Sequence, residues 1–298
     1  MEAHAGAPAD LDYLRSLGPR PKAWLAVALA WVAGYVDIIG WIMLSHVYTS
    51  HMTGNTASLG HALAAGEGQK ALAYGIPIPC FVLGLIAGAF ILQIGKRRRI
   101  HSTLALVLGL EALLLGLFVL LGFLFEGPEG AVPQSDARSA LLLFLAASAM
   151  GLQTVTLTRI GRLRVYTTYL TGTLSKFAES LAEYSLWVYD RGRGRFFRRI
   201  GRIARATPRQ ESFQHLVLTA GLWAGFACGV LCGTRALRAW NVAALGLPIA
   251  LLLLFSLVDA VRPVSLAHER AGSLWLEEML PSRKAQPFDP QKPSGASR

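Results

Sequence analysis

Hydroxyl, imidazole and amide side chains cluster in a short string between two apolar stretches, at positions 48–55 (YTSHMTGN). A similar string, YTTYLTGT, occupies positions 166–173. Ser and Thr cap the free N–H groups at the start of a helix, and that end of the helix carries a partial positive charge. Two such helix ends facing each other would suit an anion or a carboxylate. The alternative is that these residues only cap helices and satisfy bent backbone.

Carboxylates and an amide inside apolar segments extend this cluster. Ionisable groups within a membrane are candidates for function, for example as proton carriers. Asp37 and Glu111 fit that role, and the alternative is a buried acid that is hydrogen-bonded to a hydroxyl or paired with Arg. We predict a substrate-binding site, with no catalytic residue assigned, formed by Asp37, Thr49, His51, Thr53, Gly54, Asn55, Gln153, Thr168, Thr171 and Gly172.

Three histidines, His46, His51 and His61, raise the question of a metal ion. Their spacing matches no compact ligand pattern, and no cysteine or carboxylate cluster completes a coordination shell. We therefore expect no metal and no other cofactor, and we assign His51 to the polar site.

The elements that must position these residues are apolar helices. The 298-residue chain is 53% hydrophobic, and its mean hydropathy is +0.42. Only 16% of its residues are charged, against about 25% in a typical soluble domain. A helix that spans a bilayer needs about 20 apolar residues. Six segments qualify: 22–44, 72–95, 102–125, 138–157, 213–235 and 241–261.

Two further segments are exceptional. Residues 53–65 form a helix-like run that is too short to cross, and residues 171–188 are long enough but carry three charges. If both segments dip into the membrane and return on the same side, nearly all basic clusters lie on one side and the acidic loop 126–137 lies on the other. The predicted topology therefore has six crossings, with both termini in the cytoplasm.

The two halves of the chain resemble each other. Besides the two polar strings, GLIAG at 84–88 matches GLWAG at 221–225, and LGL recurs at 108–110 and 245–247. Each half then holds three crossings and one re-entrant segment, so the second half is inverted relative to the first, as in many secondary transporters. The predicted fold is an all-α integral membrane protein, with six transmembrane helices and two short broken or re-entrant helices in two inverted repeats.

The chain divides accordingly into four parts. Residues 1–20 are predicted to be a disordered cytoplasmic N-terminus, and residues 263–298 a cytoplasmic tail. Residues 21–130 form the first membrane repeat. Residues 131–262 form the second, which includes a basic cytoplasmic loop at 189–210.

Two features predict partners besides the bilayer and a small solute, and a third argues against nucleic acid. The run from Arg191 to Arg209 holds eight Arg and no acid, which suits anionic lipid head groups. The formal net charge of +11 requires no nucleic acid, because cytoplasmic loops collect Lys and Arg. Glycines recur every four residues from Gly221 to Gly233, which lets helices approach closely. This approach is either within the chain or between protomers, so segment 213–235 is a candidate homo-oligomer contact.

The string GYVD at 34–37, followed by TSHMTGNT at 49–56, resembles the YoaK-like family of mostly bacterial membrane proteins that contain a domain of unknown function. In the second half, AMGLQ at 149–153 and TTYLTGTLSK at 167–176 resemble the family's second signature, which commonly has Asn where this chain has Thr154. The resemblance covers about residues 22–262 and implies a multi-pass protein of the bacterial inner membrane. It implies no substrate and no reaction.

The leading functional hypothesis is a transporter or permease for a small polar or anionic solute, with its site between the two broken helices near the membrane midplane. One alternative is an intramembrane enzyme that uses Asp37, His51 and Glu111 as acid and base groups. Another is a non-catalytic membrane scaffold. We favour a non-enzymatic role.

Overall fold

A computed structural model describes residues 19–98, 100, 102–125, 137–156, 170–192, 203 and 206–261. Within these residues the protein is all-helical, as predicted. The helices are α1 (Pro19–Met43), α2 (Met52–Ala64), α3 (Gly68–Gly75), α4 (Pro77–Arg97), α5 (Thr103–Phe125), α6 (Ala137–Thr156), α7 (Leu170–Gly192), α8 (Glu211–Trp240) and α9 (Gly246–Val261). Two 3-10 helices, Thr207–Arg209 and Asn241–Leu245, flank α8. The predicted tail 263–298, and most of segments 1–20 and 189–210, lie outside the described residues.

Five stretches of the described chain are long and apolar enough to cross a membrane: Ala23–Met43, Gly68–Gly95, Thr103–Phe125, Ala137–Thr156 and Glu211–Val261. Their outward faces are apolar, and Leu124 and Leu257 expose 69% and 63% of their surface. Such a continuous apolar exterior suits lipid rather than water. The protein is therefore a membrane protein. The sequence predicts six membrane-crossing segments, and the described residues contain five such stretches. The difference arises because the single stretch Glu211–Val261 contains both of the predicted segments 213–235 and 241–261.

Helices α1 and α8 pack closely along a line of glycines. A Cβ added to Gly34 would overlap the carbonyl oxygen of Phe226, and one added to Gly229 would overlap the carbonyl oxygen of Trp31. This close approach of two backbones is the small-residue packing expected between membrane helices. The glycine repeat of segment 213–235 therefore packs within the chain. A contact between protomers through this helix stays a prediction.

A second glycine seam joins α4 to α6. A Cβ added to Gly84 would overlap the carbonyl oxygen of Ser148, and one added to Gly151 would overlap that of Phe81. Helix α5 packs against both α6 and α9. The two seams and the α5 contacts enclose a core of mostly small and aliphatic side chains with a few aromatic ones, in which residues 145–154 of α6 are all buried.

The two exceptional segments form different structures. The predicted run 53–65 is α2, a helix of 13 residues whose bounds differ from the prediction by one residue. The second predicted short helix, at 171–188, is wrong in length, because α7 is one continuous helix of 23 residues. It is amphipathic: Thr173 and Ser180 are buried against the rest of the protein, and Glu179 is exposed. This helical pattern continues past residue 188, and α7 therefore extends to Gly192.

Candidate functional site

The chain reverses direction immediately after α1. Ser45 and His46 have φ angles of 57° and 67°, the left-handed region in which a single non-glycine residue can turn the backbone sharply. The His46 N–H donates to the carbonyl oxygen of Trp41 at 2.8 Å, which closes the end of the helix. Residues 47–51 then run back along α1, and most of this non-helical segment is buried.

Asp37 anchors the returning segment. Its Oδ1 accepts hydrogen bonds from the backbone N–H and the hydroxyl of Thr49, at 3.0 and 2.9 Å, and from the same two groups of Ser50, at 2.8 and 3.0 Å. Its Oδ2 accepts from Nδ1 of His51 at 2.7 Å. Five donors thus surround a carboxylate whose side chain is 5% exposed. Charged acceptors make the stronger hydrogen bonds in proteins, so this is the strongest attachment of the loop to α1.

The position of Asp37 determines how deep the loop reaches. Asp37 lies six residues before the end of α1 at Met43, which is about 9 Å along a helix that rises 1.5 Å per residue. Because Thr49, Ser50 and His51 bond to Asp37, the start of α2 lies at that depth and not at the end of α1.

Asn55, in the first turn of α2, holds the loop by two hydrogen bonds to the Tyr48 backbone. Its Nδ2 donates to the carbonyl oxygen of Tyr48 at 2.7 Å, and its Oδ1 accepts from the Tyr48 N–H at 3.1 Å. The amide of Asn55 and the hydroxyl of Thr49 are therefore occupied within the protein. Both residues position the loop, and a direct solute contact for them stays a prediction.

His51 is the partly exposed member of the Asp37–His51 cluster. Its side chain is 32% exposed, and its ring lies 5.2 Å from the Tyr48 ring and 5.6 Å from the Phe226 ring. Among the described residues, Nε2 has no hydrogen-bond partner. Burial by itself lowers the pKa of His51, but the hydrogen bond and the negative charge of Asp37 outweigh burial and raise this pKa above its usual range. The carboxylate also orients the ring, so Nε2 can donate or accept one proton outward.

The first turn of α2 follows His51 directly. Thr53 is exposed, and Gly54 is partly exposed with a Cβ position in ordinary contact with the Tyr48 ring. No side chain caps the N-terminus of this helix. The Nε2 atom of His51 and the first turn of α2 are thus the polar groups of the cluster that face outward.

Two glycines that sequence reasoning missed shape the site. A Cβ on Gly40, one turn after Asp37, would overlap the Cγ2 atom of Thr49, so glycine lets the loop lie against α1. Gly34, one turn before Asp37, brings the α8 backbone at Phe226 close to α1. Gly34 and Gly40 each lie three residues from Asp37, a carboxylate within an apolar segment. This spacing is the sequence signal that could have identified them.

The remaining described residues of the predicted site make contacts of their own. Gln153 donates through Nε2 to the carbonyl oxygen of Leu29 at 2.8 Å, and its Oε1 is buried. Thr171 is exposed and Gly172 partly exposed at the start of α7, and Thr168 lies outside the described residues. Glu111 is buried on α5 and bonds to neither Asp37 nor His51. The structure therefore gathers the first-half residues, and among the described second-half residues no hydrogen bond joins Gln153, Thr171 or Gly172 to the Asp37–His51 pair.

Comparison with known proteins gives a family. A family model described as "Protein of unknown function (DUF1275)" matches residues 25–258. The chain belongs to this family. The UPF0700 transmembrane protein YoaK of Bacillus subtilis (strain 168) is 33% identical over 158 residues, which are 52% of this chain. The match covers 64% of that protein's length, slightly less than two thirds. No solved structure matches the chain.

The DUF1275 match confirms the resemblance to YoaK-like proteins that the polar strings indicate, and the relative's name agrees with the membrane helices seen here. The matched residues include the whole Asp37–His51 cluster and both glycine seams. Neither name carries a substrate or a reaction, so function must be argued from the geometry.

Proposed function

We propose that this protein is a permease of the bacterial inner membrane for a small polar or anionic solute, with the Asp37–His51 pair in its binding site. One observation carries the proposal: a carboxylate–imidazole pair holds buried, non-helical backbone beside an apolar helix long enough to span the membrane. Irregular backbone at membrane depth is tolerated only where it is buried in protein or lines a water-filled cavity. Ionisable pairs at such depth commonly belong to substrate or ion pathways.

The proposal includes six crossings, none of them made by α2 or α7. The contact registers along the helices support it. Val27 meets Gly225, and Tyr35 meets Gly233 farther along both helices, so α1 and α8 run parallel. In the same way, Gly84 meets Ser148 and Gly88 meets Val155, so α4 and α6 run parallel.

Two more contacts relate these parallel pairs. Gly95, near the end of α4, meets Thr103, the first residue of α5, so α5 runs opposite to α4. Gln153, near the end of α6, bonds to Leu29 in the first half of α1, so these two helices run in opposite directions. Helices α1, α5 and α8 then point one way and α4 and α6 the other, which leaves no crossing for α2 or α7.

The final stretch adds the sixth crossing. At 1.5 Å per residue, the 51 residues of Glu211–Val261 would measure about 75 Å, more than twice a hydrocarbon core of about 30 Å. The 3-10 turn at Asn241–Leu245 therefore lies between two crossings. By the sequence repeat, α1 corresponds to α6 and α4 corresponds to α8. Each seam, α1–α8 and α4–α6, therefore joins the first helix of one half to the counterpart of α4 or α8 in the other half, as expected for inverted repeats.

The orientation can be tested by labelling in a cysteine-free variant. We expect an impermeant maleimide to label a cysteine introduced by Gln69→Cys on intact cells. A cysteine introduced by Arg205→Cys should react only after permeabilisation, because the arginine-rich run stays in the cytoplasm. Labelling at position 205 from outside would overturn the proposed topology.

The chemistry of the site suggests the solute class. When His51 is protonated, its Nε2 offers a hydrogen-bond donor, and the uncapped first turn of α2 offers further N–H donors with a partial positive charge. Both kinds of donor favour an acceptor-rich solute, such as a small oxyanion or carboxylate. Tyr48 and Phe226 flank the ring and limit the size of what can approach it.

Flux through purified protein in liposomes tests this function. The probes are formate, acetate, lactate, phosphate and sulfate. We expect at least one of them to be carried, and His51→Gln to slow it about tenfold or more, since one charge-assisted hydrogen bond is lost. The matched control is His61→Gln, an exposed histidine of α2. The proposal is contradicted if none of the five anions is carried, or if both variants have the same flux.

An intramembrane enzyme is the second candidate, because a carboxylate that orients an imidazole is also the arrangement of a general base. Glu111, the third residue of that hypothesis, makes no hydrogen bond to this pair. The same liposomes discriminate the two candidates: a permease moves the probe unchanged, whereas an enzyme yields a new compound.

A further inference from the structure

Glu111 lies apart from the Asp37–His51 site and is unusual in its isolation. It is completely buried on α5, and neither of its carboxyl oxygens has a hydrogen-bond partner. Across the part of the chain that the structure describes, one other buried side-chain polar atom lacks a partner, and it is Oε1 of Gln153. Buried polar groups are nearly always hydrogen-bonded, so both residues require an explanation.

The two residues lie at a similar height in the bundle. The guanidinium of Arg138, at the start of α6, lies 5.5 Å from the centre of the Phe125 ring, at the end of α5. Fourteen residues back from Phe125 is Glu111, and fourteen residues on from Arg138 is Leu152, next to Gln153. Because the helices are antiparallel, Gln153 is within about 3 Å of the height of Glu111 along the axis.

Glu111 also faces away from α9. The carbonyl oxygen of Ala105 accepts a hydrogen bond from Ser256 Oγ, and the Cβ position of Gly109 lies 3.6 Å from the same atom, so this side of α5 faces α9. At 100° per residue, Glu111 is about 200° around the helix from Gly109. Its side chain therefore projects from the opposite side of α5, within the buried stripe that contains Leu108 and Leu115.

The charged groups of the neighbouring elements lie about 9 Å or more from Glu111 along the helix axis. Asp259 of α9 accepts from the Ala105 N–H, six residues before Glu111, and Arg138 of α6 lies at the opposite end of α5. The basic residues of α4 are at its C-terminal end, near Thr103. The described charged and titratable side chains on the elements packed against α5 are Asp259, Arg138, Arg97 and Cys80, together with Arg98 directly after α4.

An ionised carboxylate in this position would be a buried charge without a counter-ion, which costs several kcal/mol in protein or lipid. A single proton removes the charge and also creates an O–H donor. Gln153 Oε1 is an acceptor that lacks a donor. The two unsatisfied groups therefore complement each other once Glu111 is protonated and either side chain rotates.

We propose that Glu111 is a proton-binding site that is occupied at neutral pH, with Gln153 Oε1 as the acceptor for the carboxylic acid O–H. The site lies near the middle of α5 and so near the middle of the membrane. A further consequence, that this proton moves with the solute, rests on the proposed permease function.

Infrared spectroscopy of the protein in lipid nanodiscs tests the site without any solute. We expect the C=O stretching band of a protonated carboxylic acid at pH 7, where an ordinary glutamate, with a pKa of about 4.3, is ionised. Glu111→Gln should remove this band, and the exposed control Glu179→Gln should leave it. Gln153→Leu should shift the band without removing it, because the acid loses its acceptor. Glu111→Asp should retain a band at a changed frequency, which serves if the Gln variant does not fold.

Absence of the band at pH 7, or a band that survives Glu111→Gln, overturns the proton site. A band that Gln153→Leu does not shift overturns the pairing with Gln153. A failure of the flux experiment would leave these spectra unchanged, so the two proposals fail independently.

Discussion

Replacing Asp37 with alanine should destabilise the protein by about 3–5 kcal/mol, the usual cost of removing one member of a buried ion pair. The substitution removes the acceptor of five hydrogen bonds and leaves the donors of Thr49, Ser50 and His51 unpaired. The loop then loses its attachment to α1. Unfolding of the purified protein in detergent measures the change.

Asp37→Asn is the matched control for the charge. Asparagine can keep the oxygen that accepts from Thr49 and Ser50, so we expect a smaller loss than for Asp37→Ala. Its NH₂ group would face Nδ1 of His51, which must then become the acceptor and carry its proton on Nε2. An Asp37→Ala protein within about 0.5 kcal/mol of wild type, the range of ordinary surface substitutions, would contradict the anchoring role.

The same variants should differ in their response to pH. Because Asp37 raises the pKa of His51 in the folded protein, the pair stabilises the fold fully below the ordinary histidine pKa of about 6.5. This stabilisation is lost as the pH rises through the raised pKa. We therefore expect the difference in unfolding free energy between wild type and Asp37→Asn to shrink over that range. A difference that grows with pH would contradict the assigned sign.

Replacing Gly40 with alanine should cost about 1–3 kcal/mol, as expected for overpacking at a tight contact. The new Cβ would overlap Thr49 Cγ2, whereas it would lie 3.7 Å from the Oγ1 and Cβ atoms of Thr49. Thr49→Ser removes only the overlapping methyl group and keeps the hydroxyl that donates to Asp37. We expect the double variant to regain most of the stability that Gly40→Ala loses.

A double-mutant cycle of unfolding free energies provides the measurement. The control is Gly116→Ala on α5, where an added Cβ meets no atom within 4 Å. That variant should be neutral or gain up to about 1 kcal/mol, because alanine favours a helix more than glycine does. If Thr49→Ser fails to rescue Gly40→Ala, the contact between these two residues does not determine the position of the loop.

Much of the architecture could be predicted from the sequence because hydropathy and length act locally. An apolar run of about 20 residues selects the membrane whatever its neighbours are. The short helix at 53–65 was predicted to within one residue for the same reason. The predicted length of α7 was wrong. A count of charges does not give the length of a helix whose polar side faces outward and whose inner side packs on α8.

The roles of the site residues were harder to predict. The sequence indicates that Asp37 and His51 are polar groups in apolar surroundings, but they are fourteen positions apart and could equally face different helices. Thr49 and Asn55 are predicted to contact the solute, and the sequence gives no sign that their polar groups bond to Asp37 and to the Tyr48 backbone. Which donors reach which acceptors depends on the turn at Ser45 and His46, which no composition rule predicts.

The sequence by itself determined that this chain belongs in a membrane, that its helices are apolar, and that polar strings interrupt them. These properties follow from the transfer free energy of each side chain, which needs no knowledge of the fold. Only the tertiary structure decided that Asp37 and His51 form one pair and that Gly34 and Gly40 make room around it. Only the tertiary structure shows that the carboxyl group of Glu111 is buried without a hydrogen-bond partner. Those outcomes depend on contacts between distant residues, which are determined only when the helices pack.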